Sequence, residues 1–229
     1  IIFSVLFSVN LNEWENITSI LSPSKIIKYS DNLLGSTEGG LLVYNLSEEQ
    51  FDQYENNYSD CLGISDFQLD SGENLWLLCE NGFLFRENSY LFIGHLDVEE
   101  AYELVIADES IFMLYTTNDV AGIIEINYIN NEIFFKDYYQ GFTSVYASFM
   151  KLAIFNNVLY LLTDEGIYYG DLNSNLKFAS NWYMINDTEG VIDIFHFDEK
   201  MVFLSDDEID FVEVDDILIN QDNIQIVST

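Results

Sequence analysis

Basic residues are the scarcest class in this sequence of 229 residues. Seven lysines and arginines stand against 40 aspartates and glutamates, so the formal net charge at pH 7 is -33. A surface this negative repels phosphate backbones and anionic lipid headgroups. We therefore expect no nucleic-acid partner. The charge is typical of a protein kept soluble by repulsion, and a dedicated cation-binding role is the alternative.

Cysteine is nearly absent as well. Only Cys61 and Cys79 occur, and no histidine stands near them at ligand spacing. The sequence thus gives no support for a structural zinc site, and we expect neither a metal nor a cofactor. Cys79 falls at a repeated position where small residues stand elsewhere, which favours a buried core residue. A disulfide between the two cysteines stays open.

Long apolar runs are missing too, so we expect no membrane insertion of the mature chain. Residues 1–9 are uncharged and apolar, too short to span a bilayer but of the length of the apolar part of a signal peptide. No basic segment or initiator methionine precedes them, and the chain looks truncated at its start. We predict a signal-peptide remnant over residues 1–11 and an exported protein, periplasmic, cell-surface or secreted. A first buried strand is the alternative.

What the sequence has in abundance is a repeat of short apolar runs, helped by 18 Phe and 15 Tyr and interrupted by a single proline. Each unit contains an apolar run, a small residue, a polar pair often holding glycine, and a second apolar run. The small residues are Thr37, Cys79, Thr163 and Ser205, with gaps of 42, 84 and 42 residues. A weaker copy around Tyr115 fills the double gap. Short strands repeating at this period predict an all-β fold, a β-propeller of about five four-stranded blades over residues 12–229.

The remaining strands recur at the same interval along the chain. A first strand precedes each small residue by about ten positions, and an outer strand is expected near Trp14, Tyr54, Phe92, Tyr139 and Trp182. Another outer strand is expected at residues 224–226, which is one too many for a closed ring. We therefore predict an open arc, a fragment of a larger ring, with a closed five-bladed ring and a loose tail as the alternative. Acidic residues between Asp206 and Asp222 would protect the open edge, and the last blade should be the least well packed.

Two segments resemble a known family. Residues 70–83, with Leu75-Trp76 followed by Cys79 and Gly82-Phe83, resemble the two-component regulator propeller repeat, and residues 34–41 look like a second copy. Such exported bacterial propellers are platforms for ligand sensing or interaction. The resemblance implies a binding module without catalysis, whose ligand is a glycan, a peptide or a protein.

Catalysis is the rival interpretation, because five-bladed glycosidases place carboxylates at the centre of the ring. Asp66, Glu103 and Asp193 lie on or beside the expected first strands and are the first candidates for such a role. Carboxylates are so common here that a chance cluster is expected. The sequence therefore assigns no catalytic or ligand-binding residue.

Other polar motifs have plainer interpretations. His95 and His196 stand at unequal repeat positions without a nucleophile motif beside them, so structural roles are expected. The acidic run 206–210 lacks the spacing of a calcium loop, and we interpret it as a solvated hairpin tip. Residues 70–74 show the composition of a turn.

Overall fold

The chain folds almost wholly into antiparallel strands. The structure is a computed structural model that describes residues 25–37, 40–53, 63–80, 82–86, 98–117, 120–144, 147–186, 188, 190–197, 200–205, 209–212 and 226–227. Within these ranges the only helical element is a three-residue 3-10 turn, Ala179–Asn181. None of the described segments forms a helix that could reach across a bilayer. The predicted all-β class is confirmed.

The described strands form five sheets, each built from strands that follow one another in sequence. The first sheet contains β1 (Lys25–Tyr29), β2 (Asn32–Thr37), β3 (Gly40–Asn45) and β4 (Gln50–Gln53). The second contains β5 (Ile64–Leu69), β6 (Leu75–Cys79) and β7 (Leu84–Arg86). The third contains β8 (Glu100–Ala107), β9 (Ser110–Thr116), β10 (Ala121–Ile129) and β11 (Glu132–Tyr139). The fourth contains β12 (Phe149–Phe155), β13 (Val158–Thr163), β14 (Gly166–Asp171) and β15 (Tyr183–Met184). The fifth contains β16 (Val191–Phe197), β17 (Lys200–Ser205), β18 (Ile209–Val212) and β19 (Ile226–Val227).

Tight turns between neighbouring strands explain this simple order. The pairs Asn130-Asn131 and Asn156-Asn157 connect β10 to β11 and β12 to β13, and all four residues have positive φ, between 47° and 65°. Two-residue hairpin loops favour turns with φ > 0 at both central residues, a conformation that asparagine tolerates better than most residues. These turns hold successive strands antiparallel in the same sheet.

The small residues of the repeat occupy one equivalent place. Thr37, Cys79, Thr163 and Ser205 each end the second strand of their sheet. In the third sheet Tyr115 pairs with Ala101 and Gly122, as Thr163 pairs with Phe149 and Gly166. The register therefore puts Tyr115 at the equivalent position, and β9 continues one residue further, to Thr116.

Four apolar clusters fill the spaces between the sheets, and each is shared by two neighbours in sequence. In β6, Trp76 and Leu78 pack towards the third sheet, whereas Leu75, Leu77 and Cys79 pack towards the first. A strand buried on both faces reads as a continuous apolar run rather than an alternating one. This is why the repeat is recognisable by its second strand.

Each sheet packs against the sheets that precede and follow it in the chain. Among the described residues, no such packing joins the fifth sheet to the first. The outer place of the fifth sheet is taken by β19, in which Val227 pairs with Phe211 of β18. β19 overlaps the C-terminal end of the outer strand predicted at residues 224–226. The segment around Trp14, like most of the acidic stretch from Asp206, lies outside the described residues.

Outer strands fall where the repeat predicts them in two sheets. Tyr139 ends β11, the outer strand of the third sheet, and Trp182 directly precedes β15, the outer strand of the fourth. Tyr54 and Phe92 lie outside the described residues. Five successive antiparallel sheets, four of them four-stranded, packed in this way are consistent with propeller blades.

Candidate functional site: a charged row on the first strands

One position of the first strand carries a charged residue in every sheet. In each case it pairs with the residue just before the equivalent position Thr37, Cys79, Tyr115, Thr163 or Ser205 of the second strand: Ser36, Leu78, Leu114, Leu162 or Leu204. The five charged residues, called the charged row below, are Lys25, Asp66, Glu103, Lys151 and Asp193. Along the row the charges read plus, minus, minus, plus, minus.

A β-bulge precedes this position in four of the five sheets. The register shifts between Ile64 and Asp66, and at the corresponding places before Glu103, Lys151 and Asp193. A bulge inserts an extra residue, bends the strand and re-aims the neighbouring side chain. The charged row is therefore positioned by a repeated backbone irregularity as well as by the period of the sequence.

Asp66 ties three sheets together. Its Oδ1 lies 2.8 Å from Nζ of Lys25 on the first sheet and accepts a 2.7 Å hydrogen bond from the N–H of Phe67. Its Oδ2 accepts a 2.8 Å hydrogen bond from the N–H of Leu104 on the third sheet. The residue is only 2% exposed. Burial raises the pKa of the Asp66 carboxyl, and the ammonium of Lys25 opposes that rise.

The fourth and fifth sheets repeat the arrangement. Nζ of Lys151 lies 2.7 Å from Oδ1 of Asp193, and this oxygen accepts a 2.8 Å hydrogen bond from the N–H of Ile194. The acceptor geometry is that of Asp66 with Phe67. Lys151 and Asp193 are each about one-third exposed, so water screens this pair more than the first.

Glu103 stands between the two ion pairs. Burial raises the pKa of its carboxyl to about 8, and the neighbouring charge of Asp66 contributes in the same direction. Lys25 and Lys151 partly oppose the rise, and Asp193 adds to it. The Glu103 carboxyl therefore exchanges its proton near neutral pH, where an ordinary glutamate is fully ionised.

The structure brings together all three candidate carboxylates, Asp66, Glu103 and Asp193, but adds two lysines that sequence reasoning missed. Lys25 and Lys151 precede their aspartates by 41 and 42 residues, one repeat period each. This spacing of one repeat period is the sequence signal that could have identified the two lysines. Because each aspartate is held by a lysine and a backbone N–H, only Glu103 resembles the acid that a glycosidase would need.

The other polar candidates lie apart from the charged row. The exposed His196 stacks on Phe155, with ring centroids 5.5 Å apart. His95 lies outside the described residues, and so do Asp206, Asp207 and Glu208 of the acidic run. No group of three or more metal-ligating side chains occurs in the part of the chain that the structure describes.

The turn at residues 70–74 is held by the Asp70 side chain. Its Oδ1 accepts hydrogen bonds from the N–H groups of Gly72 and Asn74, both 2.9 Å, and its Oδ2 accepts one of 3.0 Å from Nε1 of Trp76. The segment is thus a side-chain-stabilised turn, as its composition indicates. Cys79 is fully buried and disulfide-bonded. Cys61, the only other cysteine of the sequence, lies outside the described residues.

Known structures resemble this arrangement of sheets, although no protein-family model matches the chain and no curated protein matches it. PorZ, an essential bacterial surface component of the type-IX secretion system of Porphyromonas gingivalis, superposes with a TM-score of 0.63 at 13% identity over 86% of this chain. The extracellular domain of the putative one component system BT4673 from B. thetaiotaomicron gives 0.58 at 13% identity over 79%. A putative 6-phosphogluconolactonase from Bacteroides uniformis gives 0.59 at 10% identity, covering 90% of this chain and 69% of its own.

The likeness is one of fold. The chain spans 27% of the PorZ chain and 26% of the BT4673 chain. At these identities the superpositions show how the sheets are arranged. They do not carry a site or an activity from one protein to another.

Proposed function

We propose that the chain is a ligand-binding or protein-interaction module made of propeller blades, part of an exported bacterial protein and without catalysis of its own. The observation that carries the proposal is the state of the charged row. Asp66 and Asp193, two of its three carboxylates, are engaged by Lys25 and Lys151 and by backbone N–H groups. Both oxygens of Asp66 and Oδ1 of Asp193 are occupied, so these carboxylates join sheets to one another and are not a free pair for a substrate.

The comparisons support the cellular setting. PorZ is a surface component and the BT4673 structure is an extracellular domain. Both are longer than this chain, which fits the interpretation of the five sheets as an open arc of a larger ring. The proposal includes membership of the two-component regulator propeller repeat family. Residues 34–41 and 70–83 carry that resemblance.

A carbohydrate-active enzyme is the second candidate function. Two observations favour it: the raised pKa of Glu103, which is what an acid catalyst requires, and the fold shared with the 6-phosphogluconolactonase of Bacteroides uniformis named above. The glycosidase mechanism, however, also needs a second carboxylate free to act as nucleophile or base. Asp66 and Asp193 are both paired with lysine, so the second role has no candidate among the described members of the charged row.

Turnover and binding separate the two functions. The protein is incubated with a panel of aryl glycosides and soluble polysaccharides, and the same compounds and a peptide library are titrated for binding. We expect saturable binding of at least one class and hydrolysis no faster than the blank. Hydrolysis that is lost in Glu103→Gln and kept in Glu109→Gln would establish the enzyme instead. Glu109 is an apt control because it is exposed, in the turn that follows the same strand.

A further inference from the structure

A cavity of about 410 Å³ lies between the third and fourth sheets, away from the charged row. One wall is formed by the outer strands β10 and β11, and the other by residues 172–176, which follow β14. Its volume is within the range of sites that bind small molecules, which begins at about 300 Å³. The lining is unusual for such a site because most of it is polar.

A buried carboxylate forms one side of the cavity. Glu125 is 3% exposed and accepts hydrogen bonds from Nζ of Lys136 at 2.6 Å, from Oγ of Ser110 at 2.9 Å and from the hydroxyl of Tyr139. Lys136 is the extra residue of a bulge, since Glu125 pairs with Asp137 and Ile126 with Phe135. The bulge lets the half-exposed side chain of Lys136 reach the buried carboxylate with its ammonium, as bulges beside binding sites re-aim a side chain.

The opposite side is a loop, held by hydrogen bonds, that presents amides. The side chain of Asp171 accepts a 2.8 Å hydrogen bond from the N–H of Asn173, and Ser174 donates from Oγ to its carbonyl at 2.6 Å. Nζ of Lys177 lies 2.8 Å from Oδ1 of Asp137 and bridges the loop to β11. The side-chain oxygen of Asn173 and the side-chain nitrogen of Asn175 have no hydrogen bond within the described residues. Both side chains are exposed, so they offer one acceptor and one donor to a ligand.

Charge in this cavity is balanced, in contrast to the protein as a whole. Glu125 is paired with Lys136, and Asp137 with Lys177. An anionic ligand would find no unpaired ammonium, and a cationic ligand no unpaired carboxylate. Donors and acceptors are instead mixed, which suits hydroxyl groups because each can donate and accept. Leu172 and Leu176 add an apolar wall for the C–H face of a ring.

We propose that this cavity binds a small neutral polyhydroxylated ligand, the size of a monosaccharide or disaccharide unit. The inference rests on the proposed function and assigns one ligand class to one of its surfaces. The site is distinct from the charged row and involves none of its residues.

Ligand-observed NMR with the full chain tests the proposal. The neutral probes are glucose, N-acetylglucosamine and maltose, and the charged probes are glucuronate and glucosamine. We expect saturable binding of at least one neutral probe with a dissociation constant on the order of 1 mM. Neither charged probe should bind more tightly than the neutral ones.

Three variants locate the binding. Asn175→Ala removes an amide donor on the loop, and we expect it to weaken binding about fivefold. Lys136→Gln should weaken it as well, and Lys28→Gln, at an exposed lysine of the first sheet, is the matched control that should leave it unchanged. Lys136→Gln leaves Glu125 buried without its cation, so thermal unfolding is recorded for each variant. If Lys136→Gln fails to fold, the result for Asn175→Ala alone decides whether the ligand binds in this cavity.

Two kinds of result overturn the proposal. One is the absence of saturable binding for every neutral probe, or tighter binding of glucuronate or glucosamine. The other is saccharide binding that Asn175→Ala leaves unchanged, which would place the ligand elsewhere on the protein. Neither result by itself overturns the proposed function, which fails if glycoside turnover is observed or if no glycoside, polysaccharide or peptide binds.

Discussion

The ammonium of Lys25 lies 2.8 Å from the carboxylate of Asp66, and the pair joins the first sheet to the second. Lys151 and Asp193 join the fourth sheet to the fifth in the same way, at 2.7 Å. Three of the chain's seven basic residues, the third being Lys177, thus form ion pairs between neighbouring sheets. In a protein with a net charge of -33, these few cations lie where they neutralise carboxylates between sheets.

Burial predicts that the two ion pairs differ in strength. The Asp66 side chain is 3% exposed, so Lys25→Met leaves a buried charge uncompensated, and we expect a loss of about 3 kcal/mol in the free energy of unfolding. Lys151→Met breaks a partly solvated pair and should cost about 0.5 to 1 kcal/mol. Lys28→Met, at an exposed lysine of β1, should be nearly neutral. Urea unfolding of the three variants measures this order, and equal losses for Lys25→Met and Lys151→Met would refute it.

Glu103 makes stability depend on pH. Its pKa of about 8 in the folded protein exceeds the ordinary glutamate value of about 4.3 that applies to the unfolded chain. Between these values the folded state binds more protons than the unfolded state. The contribution is therefore fully present below about pH 4 and is lost as pH rises through about 8. The charges of Asp66 and Asp193 add to the raised pKa of Glu103, and those of Lys25 and Lys151 oppose it.

The variant Glu103→Gln mimics the protonated carboxyl at every pH. We expect the wild type to lose stability relative to Glu103→Gln between about pH 5 and pH 9. Urea midpoints measured at several pH values for both proteins show the difference directly. If that difference is the same at all pH values, Glu103 does not titrate with a raised pKa.

The repeated hairpin depends on a threonine hydroxyl. Oγ1 of Thr163 donates to the carbonyl of Gly166 at 2.8 Å, and Oγ1 of Thr37 donates to that of Gly40 at 2.7 Å; both bonds are buried. Thr163→Val and Thr37→Val should each cost about 1 kcal/mol of unfolding free energy, and the two losses should add. Thr117→Val, which removes an exposed hydrogen bond of the same kind, should cost much less. A comparable loss in all three variants would show that burial of this bond is unimportant.

Much of the fold could be predicted because its signals are local. The apolar run of β6 reads as a strand buried on both faces, and Gly40 and Gly166 have φ of 119° and 128°, a region where glycine is strongly preferred. Each of these features is visible within ten residues. Repetition at a fixed period then multiplies a weak local signal into the prediction of several similar sheets.

The site was harder to predict because its partners are far apart in sequence. Asp66 contacts Lys25 and the N–H of Leu104, which lie 41 and 38 residues away. Nothing beside Lys25 marks it as a partner; only alignment of the repeats does. The cavity depends on the bulge at Lys136 and on the loop after Asp171, neither of which has a sequence signal strong enough to place its side chains.

A double-mutant cycle on Lys25 and Asp66 tests most directly the central claim that the charged row joins the sheets. The free energy of unfolding is measured by urea titration for the wild type, Lys25→Met, Asp66→Asn and the double variant. If the two side chains stabilise the fold through each other, the coupling free energy should be about 2 kcal/mol. A coupling below about 0.3 kcal/mol, with single losses that simply add, would contradict the claim and would leave Asp66 available for another role.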